Sequence, residues 1–429
     1  MPSSQPFVNC HTHIFNSSCA PDYYLRMVLP PILDPFANTI KAFLDKKTTR
    51  WAMIGLIKVA TIFDRERRHA FERYLRFITV GSSASQREVF LGLIEPYKNI
   101  PDARFVALTL NMDHMSHFPS NHAPINSQLA EVRELKKQFP DKLFPFVSVD
   151  PRHLGGKDLL AWLKKYINKD NFFCGIKLYP AKGFFPFDPR LYEVYEWAQK
   201  ENIPVMTHCT RSGSYFIDPI DRSAVVPNPP TLNDKDDVMG PIHKRIAAVL
   251  NDKKVKKKNA SWCNLFTHPQ HYLPVLNEFP RLKLCFAHFG GSSQVAKPDD
   301  PGNPAFLGPN WFKEVQKIME DRKYVNIYTD ISYTLFDEKA MDEIIEWYKG
   351  AIEYEAKKTE KEKQEDLKLK RPKLYERILY GTDFYMTEQE LPERFLLANA
   401  IAKLEDRMDQ ISRINPAEYL KSEYYSTPS

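Results

Sequence analysis

The chain predicts an α/β protein of the (β/α)8 TIM-barrel class, and three observations carry that expectation. Eight short apolar runs recur along 429 residues, segments with a helical period separate most of them, and each run closes on polar residues. The runs are Phe7–Cys10, Arg104–Leu110, Leu143–Val149 and Cys174–Leu178, then Ile203–Thr207, Lys283–Ala287, Val325–Thr329 and Ile378–Tyr380. They are mostly β-branched or aromatic and apolar nearly throughout, which suits parallel strands covered on both faces. Between the fourth and fifth runs Leu191, Val194, Tyr195 and Ala198 make a stripe with a period near 3.6. Met341, Ile344, Ile345 and Tyr348 repeat the pattern after the seventh. Strands alternating with helices indicate a right-handed parallel fold, and eight polar-ended strands favour a closed barrel over an open sheet.

Three intervals exceed a simple βα unit. Residues 14–103 read as a helical insertion after the first strand, beside the barrel mouth. Residues 210–260 begin with proline-rich loop material (Pro219, Pro227, Pro229, Pro230), continue into a short helix, and read as a wall or lid. Glu353–Lys370 alternates acid and base as a solvated helical extension would. The expectation is one barrel domain over residues 1–429, with no internal repeats and no heptads.

Hydrophobic residues at 43% and charged residues at 27% are ordinary for a globular chain. No apolar run approaches the ~18 residues of a membrane span, and the first residues carry no basic and apolar leader pattern. A net charge of +6 is small and dispersed. The lysines at 253, 254 and 256–258 have no interleaved aromatic residues, so nucleic acid is not an expected partner. Six cysteines without framework spacing imply a reduced, cytoplasmic setting. The expected partner is a small-molecule substrate, and a homodimer built on the insertion is a reasonable guess.

In a parallel barrel the residues just past the strand ends converge on one mouth. His11 and His13 follow the first strand, where positions i and i+2 share a side. Asn111, Asp113 and His114 follow the second, Asp150 the third, Lys177 and Tyr179 close the fourth, and His208 and Arg211 follow the fifth. His288 with Gly290-Gly291, Asp330 with Tyr333, and Gly381-Thr382-Asp383 complete the circuit. Four of twelve histidines fall where strands close, which packing alone does not explain.

Neutral imidazoles and a carboxylate suit Zn²⁺ and similar divalent ions, and His11, His13, His208 and Asp383 are the candidate ligands. Such a set leaves a position for water, whose pKa a divalent metal lowers from about 15.7 toward about 7. His288, or Asp383 itself, can move the proton; the rival role of Asp383 is a helix cap. Lys177 either pairs with a carboxylate or, beside metal, is carbamylated and bridges two ions. Arg211 suits a bidentate carboxylate contact, and Tyr179, Tyr333 and His114 are further substrate candidates. His69, His117, His122, His153, His243, His268 and His271 read as surface or local-structure residues.

The chain resembles the amidohydrolase superfamily, in the branch of the aminocarboxymuconate-semialdehyde decarboxylase relatives. The resemblance rests on Asn9-Cys10-His11-Thr12-His13, Gly175-Ile176-Lys177-Leu178-Tyr179-Pro180 and Ile203-Pro204-Val205-Met206-Thr207-His208-Cys209. It continues in Ala287-His288-Phe289-Gly290-Gly291 and Leu379-Tyr380-Gly381-Thr382-Asp383. No single motif is specific, but the five in order are. The resemblance implies that His11, His13, His208 and Asp383 bind metal and that His288 is the catalytic histidine. Lys177 matches the lysine carbamylated in members with two metals, so one ion or two stays open. Zinc is the default, with manganese, iron and cobalt as alternatives. The leading expectation is a metal-dependent hydrolase of an amide, lactone or related carbonyl bond. The alternative is a nonoxidative decarboxylase of an unsaturated or aromatic acid. A third reading keeps the barrel as a scaffold whose metal is only structural.

Overall fold

A computed structural model describes residues 4–21, 79–83, 85–116, 124–171, 173–211, 238–252, 259–299 and 308–425, with residues 39, 42, 49 and 216. Eight strands form one sheet in chain order: β1 (Val8–Thr12), β2 (Arg104–Leu108), β3 (Leu143–Val149) and β4 (Gly175–Leu178), then β5 (Val205–Thr207), β6 (Leu284–Phe286), β7 (Ile327–Asp330) and β8 (Ile378–Leu379). Every neighbouring pair is parallel. The last strand returns to the first: Cys10 donates its N–H to the Tyr380 carbonyl at 2.8 Å, and Thr12 bridges Phe384 in parallel. The expected barrel is therefore present, each strand lying within a few residues of its apolar run.

Alternation along the strands sorts the core into two layers. Val8, Cys10, Val106, Leu108, Phe144, Phe146, Met206, Cys285, Tyr328 and Leu379 form the barrel interior. The intervening Phe105, Ala107, Val147, Ile176, Val205, Leu284 and Ile327 pack outward against the helices. Tyr419 and Leu420 join the interior cluster from the C-terminal helix and plug its lower end. Gly175 is small because Phe146 fills the space its side chain would need; a Cβ there would lie 2.4 Å from that ring.

The helical stripes are also found. Helix Tyr192–Lys200 buries Val194, Tyr195 and Ala198, and helix Glu338–Lys357 buries Met341, Ile344 and Tyr348. The charged extension is two helices, because Thr359 starts a capping box with Glu362. The second of them, Glu360–Leu369, buries nothing, as a solvated face requires. Residues 86–94 of the 14–103 insertion form a helix capped by Ser85, and Met239–Asn251 is the short helix expected in 210–260. The rest of the first insertion, the proline-rich loop, His69, His117, His122 and the lysine run 253–258 lie almost wholly outside the described residues. Among the described residues no helix is long and apolar enough to cross a membrane, and all six cysteines are free thiols.

His268 and His271, read as surface or local-structure residues, are fully buried and structural: His268 caps the turn Pro269–Tyr272 by accepting from Gln270 N, and His271 packs against Phe185. His11 and His13 share a side, as their i, i+2 spacing predicts, but which side they face does not follow from the pleat of the preceding residues. Val8 and Cys10 face inward, so strict pleating would turn His11 outward. The β1–β2 register shifts between Asn9 and Thr12, and this irregularity re-aims the strand end.

Candidate metal centre

The re-aimed strand end brings His11 and His13 against Asp383, which follows β8. His11 Nε2 lies 3.3 Å and His13 Nε2 3.1 Å from Asp383 Oδ1. All three residues are buried. Gly381 makes this approach possible, because a Cβ there would stand 2.7 Å from the His11 Cβ.

The outer ring nitrogens decide which atoms face the centre. His13 Nδ1 lies 2.9 Å from the Leu108 carbonyl, an acceptor only, so Nδ1 carries the proton. His11 Nδ1 lies 2.9 Å from Asp330 Oδ2 and is protonated for the same reason. Both Nε2 lone pairs then point at a carboxylate oxygen. Burial lowers the His13 pKa despite the nearby Asp383 charge, so its ring is neutral near pH 7. Burial would also lower the His11 pKa, but the Asp330 and Asp383 carboxylates raise it. Lone pairs facing a carboxylate at just over 3 Å repel one another unless a proton or cation lies between them. His11 Nε2 and Asp383 Oδ1 make no hydrogen bond in that geometry. The donor set, the orphaned atoms and the hydrogen-bonded outer nitrogens fit a divalent cation.

Asp330, at the end of β7, organises the other side. It accepts from the His288 backbone N–H at 2.9 Å, the Ser332 N–H at 3.0 Å and the Ser332 hydroxyl. Burial would raise its pKa, but His11, His288 and Ser332 hold it well below the usual carboxylate range. With its own proton given to Asp330, Ser332 Oγ accepts from His288 Nδ1 at 2.9 Å. The His288 lone pair is then on Nε2, 3.2 Å from His208 Nδ1, which donates to it. That assignment leaves His208 Nε2 as a lone-pair atom. His208 lies outside the tight groups His11–His13–Asp383 and His11–His288–Asp330, and meets the site through His288 and through Tyr179, whose ring stacks on it at 4.1 Å and 12°.

Burial pushes the His288 pKa down to about 4, so its imidazole is neutral. Asp383 is held well below the carboxylate range by His11 and His13 against the opposing effect of burial. Burial drives the Lys177 pKa down to about 8; its Nζ has no hydrogen-bond partner, with the Asp330 and Asp383 charges nearby. His288 and Asp383 adopt left-handed backbone at φ 66° and 60°, and Tyr333 does so at 56°. Three non-glycine residues in that sparsely allowed region mark stored strain at the mouth.

The remaining candidates divide. Tyr333 stands 6.4 Å from His288, ring to ring, and accepts from Gln389 at 2.7 Å. His114 keeps a buried Nε2 without a hydrogen bond. Arg211 lies over the Trp311 ring at 5.2 Å and donates to the Pro309 carbonyl at 3.4 Å. Sequence reasoning noted Asp330 at its strand end but gave it no role, and it passed over Ser332; the Asp-x-Ser spacing after β7 was the available signal.

A family profile described as Amidohydrolase matches residues 120–421. No curated protein matches the chain. Among solved structures, 5-carboxyvanillate decarboxylase from Novosphingobium aromaticivorans, solved with bound manganese, shares 10% identity over 97% of each chain at a TM-score of 0.50. The 2,6-dihydroxybenzoate decarboxylase from Rhizobium shares 15% identity over 77% of this chain and 87% of its own, at 0.40. A probable 2-pyrone-4,6-dicarboxylic acid hydrolase from Acinetobacter baumannii shares 14% over 78% and 88%, at 0.42. With the family match covering well over half of its length, this chain belongs to the amidohydrolase family, as an α/β barrel of a metal-dependent class.

Proposed function

We propose that the protein is a metal-dependent hydrolase of an amide, lactone or related carbonyl bond in a small molecule. His11, His13, His208 and Asp383 would hold a divalent cation, zinc by default. The carrying observation is the meeting of the buried His11 and His13 Nε2 atoms with Asp383 Oδ1 at the barrel mouth. When bound, a cation there supplies Lewis acidity toward a carbonyl oxygen and acidifies water.

The protein's own residues supply the proton chemistry. Asp383 is ionised and His288 is neutral near pH 7, so each is in the form that can accept a proton. A cation beside them would lower both pKa values further and keep them so. Hydrolysis begins with removal of a proton from water, which two ready acceptors favour. His288 Nε2, on release of the His208 Nδ1–H it accepts from, takes the proton while Ser332 and Asp330 fix its ring, and returns it to the leaving group. Asp330 also keeps His11 in the tautomer that presents Nε2.

A second reading, nonoxidative decarboxylation of an unsaturated or aromatic acid, is supported by the flat Tyr179 ring stacked on His208, which borders the mouth with a surface suited to a planar substrate. Protonating a carbanion needs an acid, and His288 or Asp383 serves as one only after it has taken up a proton.

Metal-loaded protein assayed on amides and lactones for product, and on aromatic acids for CO₂ release, separates the two. His288→Gln is expected to lower kcat ~10²-fold or more with metal content unchanged. His208→Ala is expected to lose metal and turnover together. Turnover at the wild-type rate in His208→Ala overturns the assignment.

A further inference from the structure

A second set of polar groups lies beside the metal centre and takes no part in the chemistry above. Lys182 closes the short turn Pro180–Lys182 after β4, which Gly183 ends with φ 106°. Its side chain is fully buried and its Nζ donates to the Asn111 carbonyl after β2. Lys182 has no ion-pair partner among the described residues. The nearest acids are already engaged. Asp150 is held by Arg152 through two contacts of 2.8 and 2.7 Å, and Arg152 also donates to the Lys182 carbonyl at 2.9 Å. Asp113 accepts from the Ile125 N–H at 3.1 Å, at the start of the helix Ile125–Gln138.

Two more buried polar atoms beside this ammonium lack partners. Asn111 is fully buried; its Oδ1 accepts from Asp113 N at 3.0 Å, while its Nδ2 has no partner. His114 Nε2 is likewise buried without a hydrogen bond. Unpaired buried donors are costly, and a buried ammonium without a paired counter-ion is costlier still; burial pushes the Lys182 pKa down to about 7 although the Asp150 and Asp113 charges oppose it. The Tyr179 ring links this set to the metal centre: it stacks on His208 at 4.1 Å, and the Lys182 ammonium lies 5.6 Å from its centroid.

We propose that Lys182, Asn111 and His114 form an anion subsite at the barrel mouth that takes a substrate carboxylate distinct from the group acted on at the metal centre. The proposal rests on the metal-dependent reading above and adds that the substrate is an acid held at two points. The Lys182 and Asn111 donors, joined by His114 in its Nε2–H tautomer, come from two loops and suit the two oxygens of a carboxylate, and the Tyr179 ring bridges the two sites.

The test uses zinc-loaded full-length protein and calorimetric titration with benzene-1,3-dicarboxylate, 3-carbamoylbenzoate and inorganic phosphate. The two aromatic ligands match in shape and differ by one negative charge. The dicarboxylate is expected to bind about tenfold or more tightly than the amide, the worth of a charge-assisted hydrogen bond. Lys182→Met, and independently Asn111→Asp, should bring the two within about twofold with zinc content and melting temperature unchanged. Asn111→Asp retains the oxygen that caps Asp113, so it decides the matter if Lys182→Met does not fold. Equal binding in the wild type, no binding of either ligand, or a preference that survives both variants overturns the subsite. Phosphate binding as tightly as the dicarboxylate also overturns it, in favour of a phosphate cradle. Protein that retains no zinc refutes the metal-dependent reading, whereas stoichiometric zinc without the charge preference refutes this inference alone.

Discussion

Asp330→Asn probes the centre most directly, because it changes one charge in a buried carboxylate and almost no volume. Asp330 receives His11 Nδ1 at 2.9 Å on one oxygen and three donors from His288 and Ser332 on the other. An amide in its place keeps one acceptor and turns an N–H₂ toward either His11 or that trio, so at least one charge-assisted hydrogen bond is lost in either orientation. Such a bond contributes roughly 1.5–3 kcal/mol, which corresponds to about 10–100-fold in an equilibrium constant. The same range is typical for removing the carboxylate behind a ligating imidazole. Zinc affinity should fall by that factor, measured by competition with a chromophoric chelator. The variant should also lose part of the acid limb of stability. The Asp330 pKa is depressed in the fold, so its stabilisation is present above the unfolded value near ~3.9 and fades as pH falls below it. Zinc affinity within twofold of wild type would refute the claim that Asp330 sets the His11 tautomer.

Two further outcomes test the surroundings. Gly381→Ala places a methyl 2.7 Å from the His11 Cβ and 3.3 Å from the Ser332 Cβ; overpacking of this kind costs about 1–3 kcal/mol, so both melting temperature and zinc affinity should drop, and no change in either would show that the close approach is not real. Burial raises the Glu393 pKa to about 8 although Tyr97 and Thr382 donate to it at 2.6 and 2.9 Å. Folding therefore takes up a proton between the unfolded value near ~4.3 and about 8, and stability declines with rising pH in that window by up to about 1.4 kcal/mol per unit. Glu393→Gln should flatten that decline in urea melts; parallel wild-type and variant slopes would remove Glu393 as its source.

How far the site was readable from the sequence differs residue by residue. The pairing of His11 and His13 at a strand end is a local pattern, and so are the polar closures that include His208, His288 and Asp383. Their meeting is not local: His11 and Asp330 share a hydrogen bond across 319 positions. The Asp330-x-Ser332 spacing is a local pattern, but no nearby residue signals which imidazoles that pair orients, or that Lys182 would be buried beside Asn111.

Taken alone, the order of amino acids determined the barrel and the strand ends that carry its chemistry, because two-faced burial and the helical period leave their mark within a few residues. Only the folded chain decided which lone pairs face one another. A register shift in β1 overrode simple pleating, and closure of β8 onto β1 set the His11–Asp383 separation. Those outcomes depend on contacts between distant segments, which short-range patterns do not contain.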